Sequence, residues 1–188
     1  YHLHPLAVED VLHVPQRPKC EAYPAQGEFQ ARLFVVARVL GLADGRLQEE
    51  QVSVFVGHAT VLTFRERSGD DLWAPVRHRL AAAASRIRQH DASYLVYTLL
   101  DAIVDRWFPL LEELGDRLEQ LEDEVLENPT REAISRVHAL RRELLVLRRA
   151  AWPMREVIAS LQREPHECMT DTTRTYLRDV QDHIVQVI

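Results

Sequence analysis

The sequence predicts an α+β protein in which the strands come first and long helices follow. Before Gly69, short runs rich in Val, Phe and Leu alternate with turn signals, which is the pattern of strands. After it, apolar residues recur at steps of three and four, which is the pattern of helices. Because the strands are not interleaved with helices, the class is α+β rather than a doubly wound parallel sheet. The 188 residues suit one domain or two small ones. A chain of that size removes roughly 70% of its unfolded surface from water, so a core is available.

In order, residues 5–12 read as a short helix whose carboxylates, Glu9 and Asp10, turn away from Leu6 and Val8. Pro15, Pro18 and Pro24 then exclude regular structure up to a first strand at 29–40. A turn over 41–45, containing Asp44-Gly45, leads to strands at 51–56 and 60–64 joined by the tight Gly57-His58 turn, a hairpin. Asp70 or Asp71 caps a helix through Trp73, Val76, Leu80 and Ile87, with Pro75 in its first turn. Asp91 or Ser93 caps a long helix to about residue 127, where Asn128-Pro129-Thr130 stops it and starts the next. That helix runs to about Arg163, before Pro165. A last one begins at 170–172 and is still running at Ile188.

The two middle helices carry the clearest pattern. Leu111, Leu114, Leu118, Leu121 and Val125 form an apolar seam, as do Val137, Leu140, Leu144, Leu147, Ala151, Met154, Ile158 and Leu161. The short turn between them makes an antiparallel hairpin. The first helix is acidic, from Glu112 to Glu127, and the second basic, with Arg131, Arg136, Arg141, Arg142, Arg148 and Arg149. Solvated faces with a few interhelical ion pairs account for such charges.

Lys and Arg number 23 against 29 Asp and Glu, a net charge of -6, which disfavours a nucleic-acid partner. No run of about eighteen apolar residues is present to span a bilayer as a helix, and the start does not resemble a signal peptide. Cys20 and Cys168 are far apart and fit no metal spacing, as expected of plain thiols in a reducing compartment. The chain opens at Tyr1 and closes within an apolar-periodic stretch, so it is expected to be a piece of something longer.

Candidate chemistry is sparse. Asp101 and Asp105 lie four apart in an apolar helix and share a face, and a buried carboxylate needs a cation or a donor. Either an arginine such as Arg106 or Arg32 pairs with them, or they ligate a divalent ion, or they act as a general acid and base. Hard ions such as Mg2+ take one or two carboxylates plus retained waters, so isolated acids suffice. Glu9-Asp10 and the pair Asp179 and Asp182 are further candidates. His2-x-His4 with His13 lacks the ligands to complete a zinc tetrahedron, and His166-Glu167-Cys168 matches no zinc spacing. With 6 glycines and no nucleophile elbow, phosphate loop or dinucleotide fingerprint, the chain does not read as an enzyme.

Several stretches, in order, are similar to the cytoplasmic domain of the CorA magnesium and cobalt transporters. They are His4-Pro5-Leu6-Ala7-Val8-Glu9-Asp10-Val11, Gln16-Arg17-Pro18-Lys19, Glu50-Gln51-Val52-Ser53, residues 94–108 around Leu100-Asp101-Ala102-Ile103-Val104-Asp105, 121–126, Arg142-Glu143-Leu144, 152–157 and 176–183. The resemblance implies an αβα sandwich with a small mixed sheet over residues 1–90, the long hairpin over 91–169, and over 170–188 the start of a stalk helix leading to two membrane helices absent here. It implies a homopentamer at the cytoplasmic face of the cell's inner membrane, the fragment itself being soluble, and a channel for Mg2+ and also Co2+ or Ni2+ whose closed pore is favoured by Mg2+ bound between subunits. By that resemblance the metal carboxylates fall on Asp10 of one subunit and Asp179 of the next, with Glu9 and Asp101 at a second site. The pore-mouth Gly-Met-Asn motif lies outside this sequence. A zinc transporter of the same superfamily and a soluble coiled-coil scaffold that binds partner helices are the alternatives.

Overall fold

The computed structural model describes residues 3–43, 45–66, 71–128 and 130–188. The α+β class holds, with four strands followed by long helices. Helix α1 is Pro5–Leu12, and strands β1 to β4 are Lys19–Tyr23, Arg32–Ala43, Arg46–Val56 and Val61–Arg65. Then come α2 (Ala74–Ala81), a 3-10 turn at Arg86–Gln89, α3 (Ala92–Asp105), α4 (Trp107–Glu127), α5 (Arg131–Arg163) and α6 (Asp171–Val187).

The strands form one sheet in the order β1-β2-β3-β4, antiparallel at every pairing, so among the described residues the sheet is not mixed. Short connections dictate this, because a parallel neighbour needs a crossover of a dozen residues or more. Strand β1 lies where three prolines argued against regular structure. It fits between Pro18 and Pro24 as an edge strand, pairing Cys20 with Val35, and neither proline has to donate to the ladder. Strand β3 begins five residues earlier than its apolar run. Its polar start, Arg46–Glu50, carries no strand signature but pairs with β2, aided by Arg38 to Glu49 at 3.1 Å, and is tied to β4 by Arg65 to Glu50 at 2.6 Å. Ala43 pairs with Arg46, so the turn is tighter than residues 41–45. Gly45 supplies its positive φ of 69°, while Asp44 lies outside the described residues.

Strand β2 is buried on both faces. Leu33, Val35, Ala37 and Val39 join the main core, with Val52, Val54 and Val56 beside them and α3, α5 and α6 above. Phe34 and Val36 point the other way and meet Phe55 and Ala7 of α1, the two phenylalanine rings lying 4.7 Å apart. Helices therefore cover both faces, as an αβα arrangement requires. The face of α1 differs from the expectation. Ala7 is buried, whereas Leu6 and Val8 are 60% and 41% exposed, because Ala7 is the residue small enough to let the helix lie close on Phe34.

The helix expected from Asp70 or Asp71 through Ile87 is shorter. Asp70 lies outside the described residues, Trp73 is the N-cap, and the chain leaves the helix at Ala82. Ser85 then caps the 3-10 turn by accepting from the Ile87 amide at 3.3 Å, an alternative to continuing the α-helix. The long helix expected after Asp91 is two helices, interrupted at Arg106. Pro109 explains the interruption: its ring displaces the carbonyl four residues back, that of Asp105, and it has no N–H to offer. In the hairpin, Leu114, Leu121, Leu140, Leu147, Met154 and Ile158 are buried, but Leu118, Val137 and Leu144 of the same seams are about 40% exposed. Arg117 to Glu143 at 2.7 Å, and Arg136 to Glu124, are the interhelical ion pairs. None of the helices over the described residues is long and apolar enough to cross a membrane.

Candidate metal centre

Helix α3 is positioned at its start by a polar knot. Asp91 accepts from the Tyr94 amide at 3.2 Å and from the Ser93 hydroxyl at 2.6 Å, and the Ser93 oxygen lies 2.7 Å from that of Thr173 and 3.2 Å from that of Thr170. Thr170 caps α6, so the knot ties the starts of α3 and α6 together. Burial by itself would raise the Asp91 carboxyl, but the hydrogen bonds from Ser93, Tyr94 and Thr170 outweigh it and hold the carboxyl below its ordinary range.

With the two helices fixed side by side, Asp101 and Asp105 on α3 face His183 on α6. His183 Nδ1 lies 3.3 Å from an Asp105 oxygen and 4.0 Å from an Asp101 oxygen. These three are the group of metal-capable side chains that converges among the described residues, with ligand atoms all within 4.8 Å of one another. Asp101 is 9% exposed. Its burial, and then the charge of Asp105, push its carboxyl up to about 6 against the opposing pull of His183 and Arg79. Asp179, one turn before His183, adds a further negative charge to Asp101. The Tyr97 hydroxyl beside them is pushed up by burial, then by Asp101, Tyr94 and Asp179. His183 Nδ1 is buried with no hydrogen-bond partner of acceptable geometry. Two carboxylates, one of them buried, converging on an imidazole are a donor set that fits a divalent cation.

The four carboxylates expected as ligands divide into two pairs. Asp101 and Asp179 share the α3 and α6 surface, close enough to act on each other. Glu9 is exposed and Asp10 half-buried on α1, across the sheet from that surface, and Asp10 is paired with Lys19 at 2.8 Å. Within one chain the four do not converge. Arg32, expected as a partner for Asp101, instead donates to the Ala31 carbonyl at 2.9 Å and to Gln30 at 3.1 Å. His183 and Asp105 complete the cluster. The signal for His183 was present, since Asp179 and His183 are four apart on one helix as Asp101 and Asp105 are on another.

The histidine and cysteine candidates are engaged otherwise. His4 accepts from the Leu6 amide at 3.3 Å and lies 5.0 Å from the Tyr23 ring, while His2 lies outside the described residues. His166 accepts from the Cys168 amide at 3.0 Å, and the Cys168 thiol points to the Ala31 carbonyl. Burial, then Glu164 and Glu21, push the Cys20 thiol up to about 12, which leaves it protonated and unreactive at neutral pH.

The family model described as "CorA-like Mg2+ transporter protein" matches residues 1–188, the whole chain. The chain belongs to this family. Among the relatives, it is 41% identical over 187 residues to the cobalt/magnesium transport protein CorA of Thermotoga maritima, covering 98% of this chain and 51% of that one. It is 30% identical over 187 residues to the putative metal ion transporter YfjQ of Bacillus subtilis, covering 100% of this chain and 56% of the relative. The chain thus spans about half the length of the curated relatives it matches. In fold it is similar to the soluble domain of CorA from Methanocaldococcus jannaschii, with a TM-score of 0.78 and 19% identity over 96% of this chain and 71% of that one. The CorA-like family is one of transporters, and the α+β architecture of this chain is the fold of that soluble domain.

Proposed function

We propose that residues 1–188 form the cytoplasmic Mg2+-sensing and gating part of a divalent-cation transporter that carries Mg2+ and also Co2+ or Ni2+. The observation that carries this reading is the under-neutralised carboxylate surface of α3 and α6, in a chain whose family is one of CorA-like transporters. In a homopentamer, Asp179 of one subunit meets Asp10 of its neighbour, and Glu9 joins Asp101 at a second site. The division of the four acids between two sides of the sheet supports sites built across a subunit boundary rather than within a chain. Facing carboxylates repel, and a bound dication turns that repulsion into a clamp. Mg2+ stabilises the closed state only by its greater affinity for that state, so a weak site suits a sensor. The membrane is reached through helices outside this sequence.

In the intact transporter, Asp10→Ala combined with Asp179→Ala is expected to weaken inhibition by internal Mg2+ in a flux assay. Inhibition with an unchanged Mg2+ dependence overturns the proposal.

A further inference from the structure

A second surface, formed by α5 and the segment before β1, has the opposite chemistry. An open groove of about 480 Å3 is lined by Arg17, Leu145, Arg148, Arg149, Trp152 and Pro153. Trp152 is 42% exposed, and the Arg148 and Arg155 guanidinium carbons lie 5.8 and 5.9 Å from its ring. Of the other hairpin arginines, Arg117 and Arg136 are paired with Glu143 and Glu124, while among the described residues Arg131, Arg141, Arg142 and Arg163, like the groove arginines, are in no ion pair. Among the described residues no carboxylate forms an ion pair with Arg17, Arg148, Arg149 or Arg155. A chain of net charge -6 thus leaves four guanidinium groups unneutralised at one place, around a half-exposed indole. A neighbouring cavity of about 310 Å3 shares Arg17 and Pro153 and adds Glu156 and Lys19, the latter already paired with Asp10 and Glu21 at 2.8 Å each.

We propose that this groove binds a nucleoside triphosphate, with the phosphates on Arg17, Arg148 and Arg149 and the base against Trp152, Leu145 and Pro153. Guanidinium groups match phosphate oxygens two at a time, and they do so best where no carboxylate competes. The apolar wall contributed by Leu145, Trp152 and Pro153 has no role for inorganic phosphate alone but suits a planar base. The groove volume is in the range of small-molecule sites, about 300–1,000 Å3. None of the groove's lining residues is one of the carboxylates of the metal reading.

The test is titration of the chain with ATP in the absence of Mg2+, followed by tryptophan emission and by calorimetry. Trp107 is fully buried and Trp73 partly so, which makes Trp152 the reporter. A saturable change in emission is expected. Arg148→Ala with Arg149→Ala should weaken binding at least about tenfold, and inorganic tripolyphosphate should bind about tenfold more weakly than ATP. Trp152→Phe should remove most of the emission change while calorimetry still detects weakened binding. Arg131→Ala, at the far end of the same helix from the groove, should leave affinity unchanged, and each variant should keep a cooperative thermal transition. No saturation at millimolar ATP overturns the proposal. So does equal affinity for tripolyphosphate and ATP, competition by phosphatidylglycerol vesicles that bind more tightly than ATP, or folded arginine variants with unchanged affinity.

Discussion

Asp101 is the residue at which burial and charge conflict most openly. Its folded-state carboxyl is pushed up to about 6, above an unfolded value near 3.9, by burial and by Asp105, with His183 and Arg79 pulling the other way and Asp179 adding to the push. A raised carboxyl means the folded state holds the proton more tightly. The stability it contributes is therefore complete below about pH 4 and is lost as pH rises through about 6. Asp101→Asn should flatten that part of the stability curve and raise the melting temperature at pH 7; a melting profile from pH 4 to 7 that matches wild type would refute this. Cation binding at the same carboxylate must displace the proton. Mg2+ or Co2+ added near pH 6 should thus acidify a weakly buffered solution of the wild-type chain and do so less for Asp101→Asn.

The α3 and α6 helices owe their register to capping at one shared point. Asp91 caps α3 and, through Ser93, reaches Thr170 and Thr173 at the start of α6. Asp91→Ala should cost about 1–2 kcal/mol by loss of the cap, measured by denaturant unfolding. Because the knot also sets where Asp101 and His183 meet, that variant should weaken divalent-ion binding although it touches no ligand; unchanged affinity would show that the packing of the helices suffices. The hairpin of α4 and α5 divides into a packed base and a loose tip. Ile158 is fully buried and Leu126 is 82% exposed. Ile158→Ala should cost about 2–5 kcal/mol, whereas Leu126→Ala should stay within about 0.5 kcal/mol.

At the scale of the whole molecule, the chain joins an acidic surface on α3 and α6 and a basic groove to one sheet that is covered on both faces. If each metal site is completed by a second subunit, the isolated chain should bind Mg2+ weakly and be mainly monomeric, as sedimentation velocity would show. A tight pentamer formed without metal would contradict this expectation. Saturating Mg2+ at ten times its dissociation constant should stabilise the chain by about 1.4 kcal/mol, or a few degrees in melting temperature.

Residues close together in the chain determined the order of strands before helices, a cap at Asp91 or Ser93, the stop before Thr130 and the buried part of the α4 and α5 seams. The pairing of Asp101 with Asp105 on one face was legible for the same reason. Tertiary structure decided the rest. Strand β1 between prolines and the polar start of β3 exist only because β2 offers them hydrogen bonds, and no local preference announces a partner. The choice of Ala7 rather than Leu6 as the buried face of α1 depends on Phe34 and Phe55 beneath it. His183 became part of the centre for a like reason: its meeting with Asp101 and Asp105 is a contact between two helices about eighty residues apart in sequence, which helical periodicity within either one cannot specify.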